Sequence, residues 1–159
     1  MNLPRLLLAD DHPGTRILLR SLLESEFHVV ADVADGQALI TAARRLSPDV
    51  IVTDISMPGV DGITAATTIL LRDPTARIVL VTVHSDTSLI DRALSSGALG
   101  YVLKGTAGDE LLPAVHAALR GERYASRTLT LPPRDDERIL PRGATNDWCA
   151  WSPATTTLT

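Results

Sequence analysis

Residues 49–59 read Asp49-Val50-Ile51-Val52-Thr53-Asp54-Ile55-Ser56-Met57-Pro58-Gly59, an apolar run that ends in a carboxylate and continues into a turn. The run is continuous rather than alternating and rich in β-branched residues, which is typical of a strand buried on both faces of a parallel sheet. In an open α/β sheet, ligands bind beyond the carboxyl ends of the strands. The sequence therefore places the carboxylate of Asp54 at an edge where a site is expected.

On both sides of this strand, short apolar runs alternate with helical patterns from residue 5 to about residue 121. Strands are predicted over residues 6–9, 28–33, 49–53, 78–82 and 99–103. Helices are predicted from His12-Pro13 and over residues 36–46, 63–71, 88–96 and 109–120, with Gly121 as a C-cap. Right-handed βα units predict an α/β fold with a doubly wound five-stranded parallel sheet of order 2-1-3-4-5, flanked by five helices.

The bulk composition fits one ordinary domain with a short appendage. Of the 159 residues, 45% are hydrophobic and only 3% aromatic, so aliphatic side chains must fill the core. A net charge of -4 does not indicate binding to nucleic acid or to an anionic membrane. The single cysteine is Cys149, and neither a signal peptide nor a membrane-spanning run is apparent, so we expect a cytoplasmic protein.

After Gly121 the composition changes, with prolines that interrupt any long helix and a polar, low-complexity end over residues 155–159. Acidic residues offset the arginines of this segment, so it carries no net basic patch. We therefore expect a domain over residues 1–124 and an irregular or disordered tail over residues 125–159.

Four strand ends supply complementary chemistry to one edge of the predicted sheet. Asp10 and Asp11 follow the first strand, Asp54 follows the third, Thr82 ends the fourth and Lys104 follows the fifth. Each residue alone has an ordinary explanation as a helix cap, a β-former or a surface charge. The combination of acid, hydroxyl and amine in this order indicates a site, and the first and third strands meet at the topological switch point.

The carboxylates predict a magnesium site, because Mg²⁺ takes oxygen ligands in a tight octahedron. Asp11 and Asp54 can supply carboxylates, Asp10 can bind directly or through water, and the backbone carbonyl of Ser56 can add one oxygen. His12 and His84 also lie at this edge, but their spacing with Cys149 matches no zinc pattern, so we interpret both as loop residues rather than ligands.

Asp54 is the best candidate for a nucleophile, because aspartyl phosphates are established intermediates in phosphoryl transfer. The transferring group needs positioning and neutralisation of its charge. Lys104 can supply a positive charge in addition to the metal, and the Thr82 hydroxyl can donate to a phosphoryl oxygen. Gly59 and Gly62 allow the loop after the strand to turn sharply.

These residues resemble the receiver domain of two-component response regulators. The matching segments are residues 8–13, residues 54–62, Val81-Thr82 and residues 97–104, and the likeness extends from residue 3 to about residue 124. Gly100-Tyr101-Val102-Leu103-Lys104 and Gly121-Glu122-Arg123-Tyr124 are similar to the NarL/FixJ (LuxR-type) subfamily. The resemblance implies a flavodoxin-like receiver fold and a place in a phosphorelay.

The resemblance implies that a sensor histidine kinase donates a phosphoryl group to Asp54. It implies Asp10 and Asp11 as Mg²⁺ ligands, with Thr82 and Lys104 contacting the phosphoryl oxygens. The domain would be a signalling module rather than an enzyme, with at most self-catalysed phosphorylation and dephosphorylation.

The resemblance also implies that Tyr101 is a switch aromatic that turns inward when Thr82 moves toward the phosphate. The output would be a changed surface of the fourth helix, fifth strand and fifth helix, presented to a downstream protein. A homodimer through a helical face is compatible with this reading.

The tail departs from the subfamily pattern. Leu131-Pro132-Pro133-Arg134 and Gly143-Ala144-Thr145-Asn146 resemble parts of a LuxR-type helix-turn-helix, but they lie close together and Pro141 interrupts the helix between them. A helix-turn-helix needs a second helix for the major groove. We therefore interpret the tail as a relic and do not expect sequence-specific DNA binding. The alternative is a DNA-binding transcriptional regulator truncated in this module.

Two other classes share parts of the pattern. Haloacid-dehalogenase-like phosphatases use a strand-end aspartate nucleophile, but they generally need a second aspartate two residues later, where this chain has Ser56. A flavodoxin-like cofactor domain is disfavoured, because the two aspartates after the first strand would repel a cofactor phosphate.

Overall fold

The computed structural model describes residues 3–84 and 86–126, which form a parallel sheet with helices on both faces. The strands are β1 (Arg5–Ala9), β2 (His28–Val33), β3 (Val50–Asp54), β4 (Ile78–Thr82), β5 (Gly100–Leu103) and β6 (Tyr124–Ala125). The helices are α1 (Pro13–Glu24), α2 (Gly36–Leu46), α3 (Gly62–Arg72), α4 (Thr87–Ser95) and α5 (Ala107–Leu119). The strand order is β2-β1-β3-β4-β5-β6, so the predicted order of the first five strands is confirmed.

Each face of the sheet covers its own apolar cluster, because successive side chains of a strand point to opposite faces. Leu7, Ile51 and Leu80 pack on one side with α2, α3 and α4, while Leu8 and Val52 pack on the other with α1 and α5. All residues of β3 and β4 are buried, which explains their continuous apolar character. None of the helices in the described part of the chain is long and apolar enough to cross a membrane.

Side chains that accept backbone hydrogen bonds mark the starts of four helices. Asp35, Asp61 and Asp86 accept from the first turns of α2, α3 and α4, and the His12 ring accepts from the first turn of α1. Such caps satisfy amide groups that have no partner within the helix. Gly121, with a φ of 77°, follows α5 in the left-handed conformation expected beyond a helix end.

The sixth strand is a correction to the five-stranded prediction. The Ser126 amide donates to the Tyr101 carbonyl at 2.9 Å, and Ser126 Oγ accepts from the Leu103 amide at 2.8 Å. A strand of two residues has no period that a sequence pattern could reveal. Ala125 and Ser126, which the composition places in the tail, thus lie along β5, and the residues from 127 onward, including both helix-turn-helix-like segments, lie outside the described residues.

The prediction was also wrong about two boundaries near the site. β3 begins at Val50 and ends at Asp54, one residue later at each end than predicted. The Asp49 carboxylate accepts from the Arg5 amide at 2.8 Å just before the strand begins. α5 begins at Ala107, two residues earlier than predicted, and follows directly on a 3-10 turn over Lys104–Thr106.

Candidate functional site

The parallel register of the sheet brings the predicted site residues to one edge. Asp54 is the last residue of β3 and Thr82 the last of β4, while Asp10 follows β1 and Lys104 follows β5. Ala9 is paired with Thr53, and Thr82 with Leu103, so the neighbouring strands end at nearly the same level. Four segments that are distant in the sequence therefore contribute to one crevice.

Lys104 lies between two buried carboxylates. Its Nζ is 2.8 Å from Asp10 Oδ2 and donates to Asp54 Oδ2 at 3.1 Å. Asp10 is 0% exposed and Asp54 5% exposed, so little water screens these contacts. Lys104 is also the only lysine in the sequence. The geometry thus places a compact cation beside the oxygen atoms of both acids.

The charges of this cluster alter one another's pKa. Burial raises the pKa of Asp54, the nearby charge of Lys104 opposes that rise, and the like charge of Asp10 adds to it. For Lys104, burial favours a lower pKa, but its contacts with Asp10 and Asp54 outweigh burial and raise the pKa. The lysine therefore stays protonated, and its charge favours the ionised form of the buried Asp54 carboxylate.

The carboxylates suit a hard divalent cation. Asp10, Asp11 and Asp54 can each offer one oxygen, and these oxygens lie within 4.8 Å of one another. Asp10 Oδ2 is buried, and the ammonium of Lys104 lies 2.8 Å from it as its ion-pair partner. Asp11 is exposed, which leaves the cluster open to solvent on one side. Oxygen ligands with an open side are typical of protein magnesium sites.

The loop after β3 holds Asp54 through close backbone contacts. The Ser56 amide donates to Asp54 Oδ1 at 3.3 Å, and Gly59 has a φ of 75°. At Gly62 a Cβ atom would lie 1.9 Å from the Asp54 carbonyl oxygen, so a side chain there would displace the loop or the strand end. The predicted need for glycine is confirmed at both positions, for conformation at the first and for space at the second.

A second set of contacts joins the loop after β4 to β5. The His84 amide donates to Thr82 Oγ1 at 3.1 Å, and the Tyr101 hydroxyl donates to the His84 carbonyl at 3.1 Å. Tyr101 is 1% exposed and therefore occupies an inward position. Burial raises the pKa of Tyr101 to about 12, with a further contribution from the charge of Asp86, so its hydroxyl remains a donor.

The sequence analysis placed His84 near this edge but interpreted it as a loop residue, and its contacts were not predicted. Its Nε2 lies 3.2 Å from Ser56 Oγ, so it links the loops after β3 and β4 across the mouth of the crevice. Its backbone also contacts both Thr82 and Tyr101. The only signal in the sequence is its position two residues after Thr82, which is shared by many unremarkable loop residues.

Comparison with known families agrees with this geometry. Residues 6–116 match the family described as response regulator receiver domain. The chain belongs to the response regulator receiver family. This receiver is 34% identical over 128 residues to the transcriptional regulatory protein DegU of Brevibacillus brevis, a match that covers 79% of the chain and 54% of DegU. The receiver thus spans about half the length of the curated relatives that it matches.

Solved structures give the same result. A two-component response regulator of the LuxR family from Aurantimonas sp. SI85-9A1 is 37% identical, with a TM-score of 0.74 over 77% of this receiver and 89% of that chain. The isolated REC domain of RcsB from Salmonella enterica serovar Typhimurium, solved with the phosphomimetic BeF3-, is 30% identical, with a TM-score of 0.72 over 88% of this receiver and 100% of that chain. The predicted likeness to LuxR-type response regulators is confirmed.

Proposed function

We propose that this receiver accepts a phosphoryl group on Asp54 from a sensor histidine kinase and thereby switches a protein-interaction surface. The observation that carries the proposal is the position of Lys104 Nζ, within 3.1 Å of Asp54 Oδ2 and 2.8 Å of Asp10 Oδ2 at one rim of the sheet. Membership of the receiver family supports a role in two-component signalling.

In the proposed transfer, a carboxylate oxygen of Asp54 attacks the phosphorus of a phosphohistidine on the kinase. A P–O bond forms, the P–N bond breaks, and its electron pair leaves with the imidazole nitrogen. Lys104 is placed to donate to the phosphoryl oxygens once the carboxylate is modified, and the Thr82 hydroxyl would contact another of them. The chain then acts as a phosphoacceptor, with at most self-catalysed gain and loss of the group.

The metal of the proposed site is Mg²⁺, held by the carboxylates of Asp10, Asp11 and Asp54 and by the backbone carbonyl of Ser56. When bound, it neutralises negative charge on the phosphoryl oxygens. The proposal is supported by the carboxylate oxygens of Asp10, Asp11 and Asp54, which lie within 4.8 Å of one another and would supply part of the oxygen ligands of such an ion.

The proposed readout is a two-state movement of Thr82 and Tyr101. A hydroxyl drawn toward the phosphoryl group would change the contacts that His84 makes with both residues. The surface of α4, β5 and α5 would change with it and bind a downstream protein, or a second copy of the chain through a helical face.

The test is phosphorylation of the purified chain by acetyl phosphate with Mg²⁺, read by ³¹P NMR and by phosphate-affinity electrophoresis. We expect Asp54→Asn to lose all acyl phosphate. The matched control is Asp61→Asn, because Asp61 caps α3 in the same loop and asparagine caps equally well. Labelling of Asp54→Asn to the level of the control would disprove the proposal.

A second candidate is that the chain is the receiver part of a DNA-binding transcriptional regulator. It is favoured by the relative DegU, a transcriptional regulatory protein of which the match covers 54%. A gel shift of duplex DNA that weakens steeply as salt rises would support it. The absence of any shift, with the chain phosphorylated or not, would remove it for this chain.

A further inference from the structure

A cleft lies between α2 and α3 at the end of the sheet opposite the carboxylates. Residues 47–48, which precede β3, and residues 76–77, which precede β4, line it and fix its position at the amino ends of these strands. Its volume is about 300 Å³, and its floor is apolar, formed by Ile40, Ala43, Ile51, Ile69 and Ala76. This volume is at the small end of ligand pockets, which span roughly 300 to 1,000 Å³.

Three arginines also line this cleft. Arg44 belongs to α2, Arg72 ends α3 and Arg77 precedes β4. Among the described residues, none of these three side chains makes a hydrogen bond or an ion pair. The acidic lining residue, Asp73, is engaged in its own turn, where Oδ1 accepts from the Thr75 hydroxyl at 2.6 Å. This hydrogen bond leaves the negative charge of Asp73 in place, but three arginines against one aspartate still give the lining a net positive charge.

Helix ends account for only part of these charges, because Arg44 and Arg72 lie in the last turns of α2 and α3 but Arg77 does not lie in a helix. A basic residue near a helix C-terminus can complement the helix dipole and the free carbonyls. At the end of α2, however, Arg5 Nη1 already donates to the carbonyls of Leu46 and Ser47 at 2.7 and 3.0 Å. Arg77 lies in the segment before β4 and is not near the C-terminus of a helix. Interaction with a helix dipole therefore does not explain the charge of Arg77.

The lining indicates the chemistry of a ligand. Guanidinium groups bind carboxylates and phosphates through planar pairs of hydrogen bonds, while the apolar floor requires an apolar body. None of the described residues that line the cleft is aromatic, so a nucleotide base would find no stacking surface. We propose that this cleft binds a small amphipathic carboxylate, with its hydrocarbon part on the floor and its carboxylate among Arg44, Arg72 and Arg77. The proposal is independent of phosphorylation at Asp54.

Decanoate is a suitable probe, titrated into the full chain by calorimetry and checked by thermal unfolding. We expect saturable binding of one decanoate and a rise in Tm. Arg72→Gln and Arg77→Gln should each weaken binding about tenfold, because each removes a charge-assisted hydrogen bond. The matched control is Arg45→Gln, which removes a charge from the same last turn of α2 without touching the cleft, and which should change the affinity less than twofold.

A second variant separates the cleft from general surface charge. Ala76→Leu fills part of the floor and keeps all three arginines, so decanoate binding should be lost while the Arg variants report on the charges. Equal binding of decanol would show that the charges are irrelevant, and tighter binding of AMP or inorganic phosphate would show a different ligand class. Either result, an absence of saturable binding, or equal weakening by Arg45→Gln would overturn the proposal. Unchanged binding in Asp54→Asn keeps this result separate from that for phosphorylation.

Discussion

The two ends of the sheet differ in how their charged side chains are paired. At the carboxyl ends, Lys104 lies within 3.1 Å of Asp54 and 2.8 Å of Asp10, and the three groups are largely removed from water. At the amino ends, three arginines surround an apolar cleft without a partner among the described residues. The charges of the first arrangement are compensated within the protein. The arginines of the second are left to solvent or to an anion from outside the chain.

This contrast has an energetic consequence. A buried charge cluster depends on the cation that its carboxylates share, since removing that cation leaves the carboxylates buried and uncompensated. An exposed charge without a partner contributes little to the free energy of folding, because water solvates it about equally in the folded and in the unfolded chain. Substitutions at the two ends should therefore differ in their effect on stability, and the following predictions run from the largest expected effect to the smallest.

Lys104→Met should lower the free energy of unfolding by about 3 kcal/mol in the absence of metal, because the carboxylates of Asp10 and Asp54 lose their shared cation. Urea denaturation in EDTA measures this change, and Mg²⁺ should restore part of it. The control is Arg92→Gln, which breaks an exposed ion pair with Asp61 and should cost less than about 1 kcal/mol. Equal losses in both variants would remove the distinction between a compensated site and a surface pair.

Asp54→Asn should make the metal-free protein more stable than the wild type at pH 7. Burial raises the pKa of Asp54, so the native state holds this proton more readily than the unfolded chain. The ionised carboxylate therefore costs stability at neutral pH, and that cost fades as the pH falls through the raised pKa toward the unfolded value. Urea denaturation as a function of pH should show the advantage of Asn shrinking in acid.

Asp61, which is only partly buried, provides the reference for this pH series, because Asp61→Asn keeps the cap of α3. An advantage of Asp54→Asn that is constant with pH, or one that Asp61→Asn shares, would contradict a raised pKa at Asp54 as its cause.

Arg77→Gln should change the free energy of unfolding by less than about 0.5 kcal/mol, the smallest effect in the series. The Arg77 side chain has no hydrogen-bond or ion-pair partner among the described residues, so its removal leaves nothing uncompensated. The same urea titration measures it. A loss above about 1 kcal/mol would show that the arginine already has a stabilising partner and that the two ends of the sheet are alike.

Much of the fold could be predicted from the sequence, because the signals are local. The continuous apolar runs of β3 and β4 reflect burial on both faces, and alternation with amphipathic helices leads to a parallel sheet. β6 escaped prediction because two residues carry no period, and its partner β5 is supplied by a distant segment. The contacts of His84 could not be predicted for a similar reason, since its partners Ser56 and Tyr101 belong to other segments of the chain.

For the site, residue types and strand ends were enough to nominate Asp10, Asp11, Asp54, Thr82 and Lys104, since parallel strands must end at a common edge. The sequence could not predict which oxygen atoms Lys104 contacts, because these contacts depend on the arrangement of β1, β3 and β5 in the sheet. The cleft is the extreme case. In the sequence, nothing distinguishes Arg44, Arg72 and Arg77 from ordinary surface arginines. They line one cleft only because α2 packs against α3. Contacts between side chains that are distant in sequence depend on packing, which no local sequence pattern reveals.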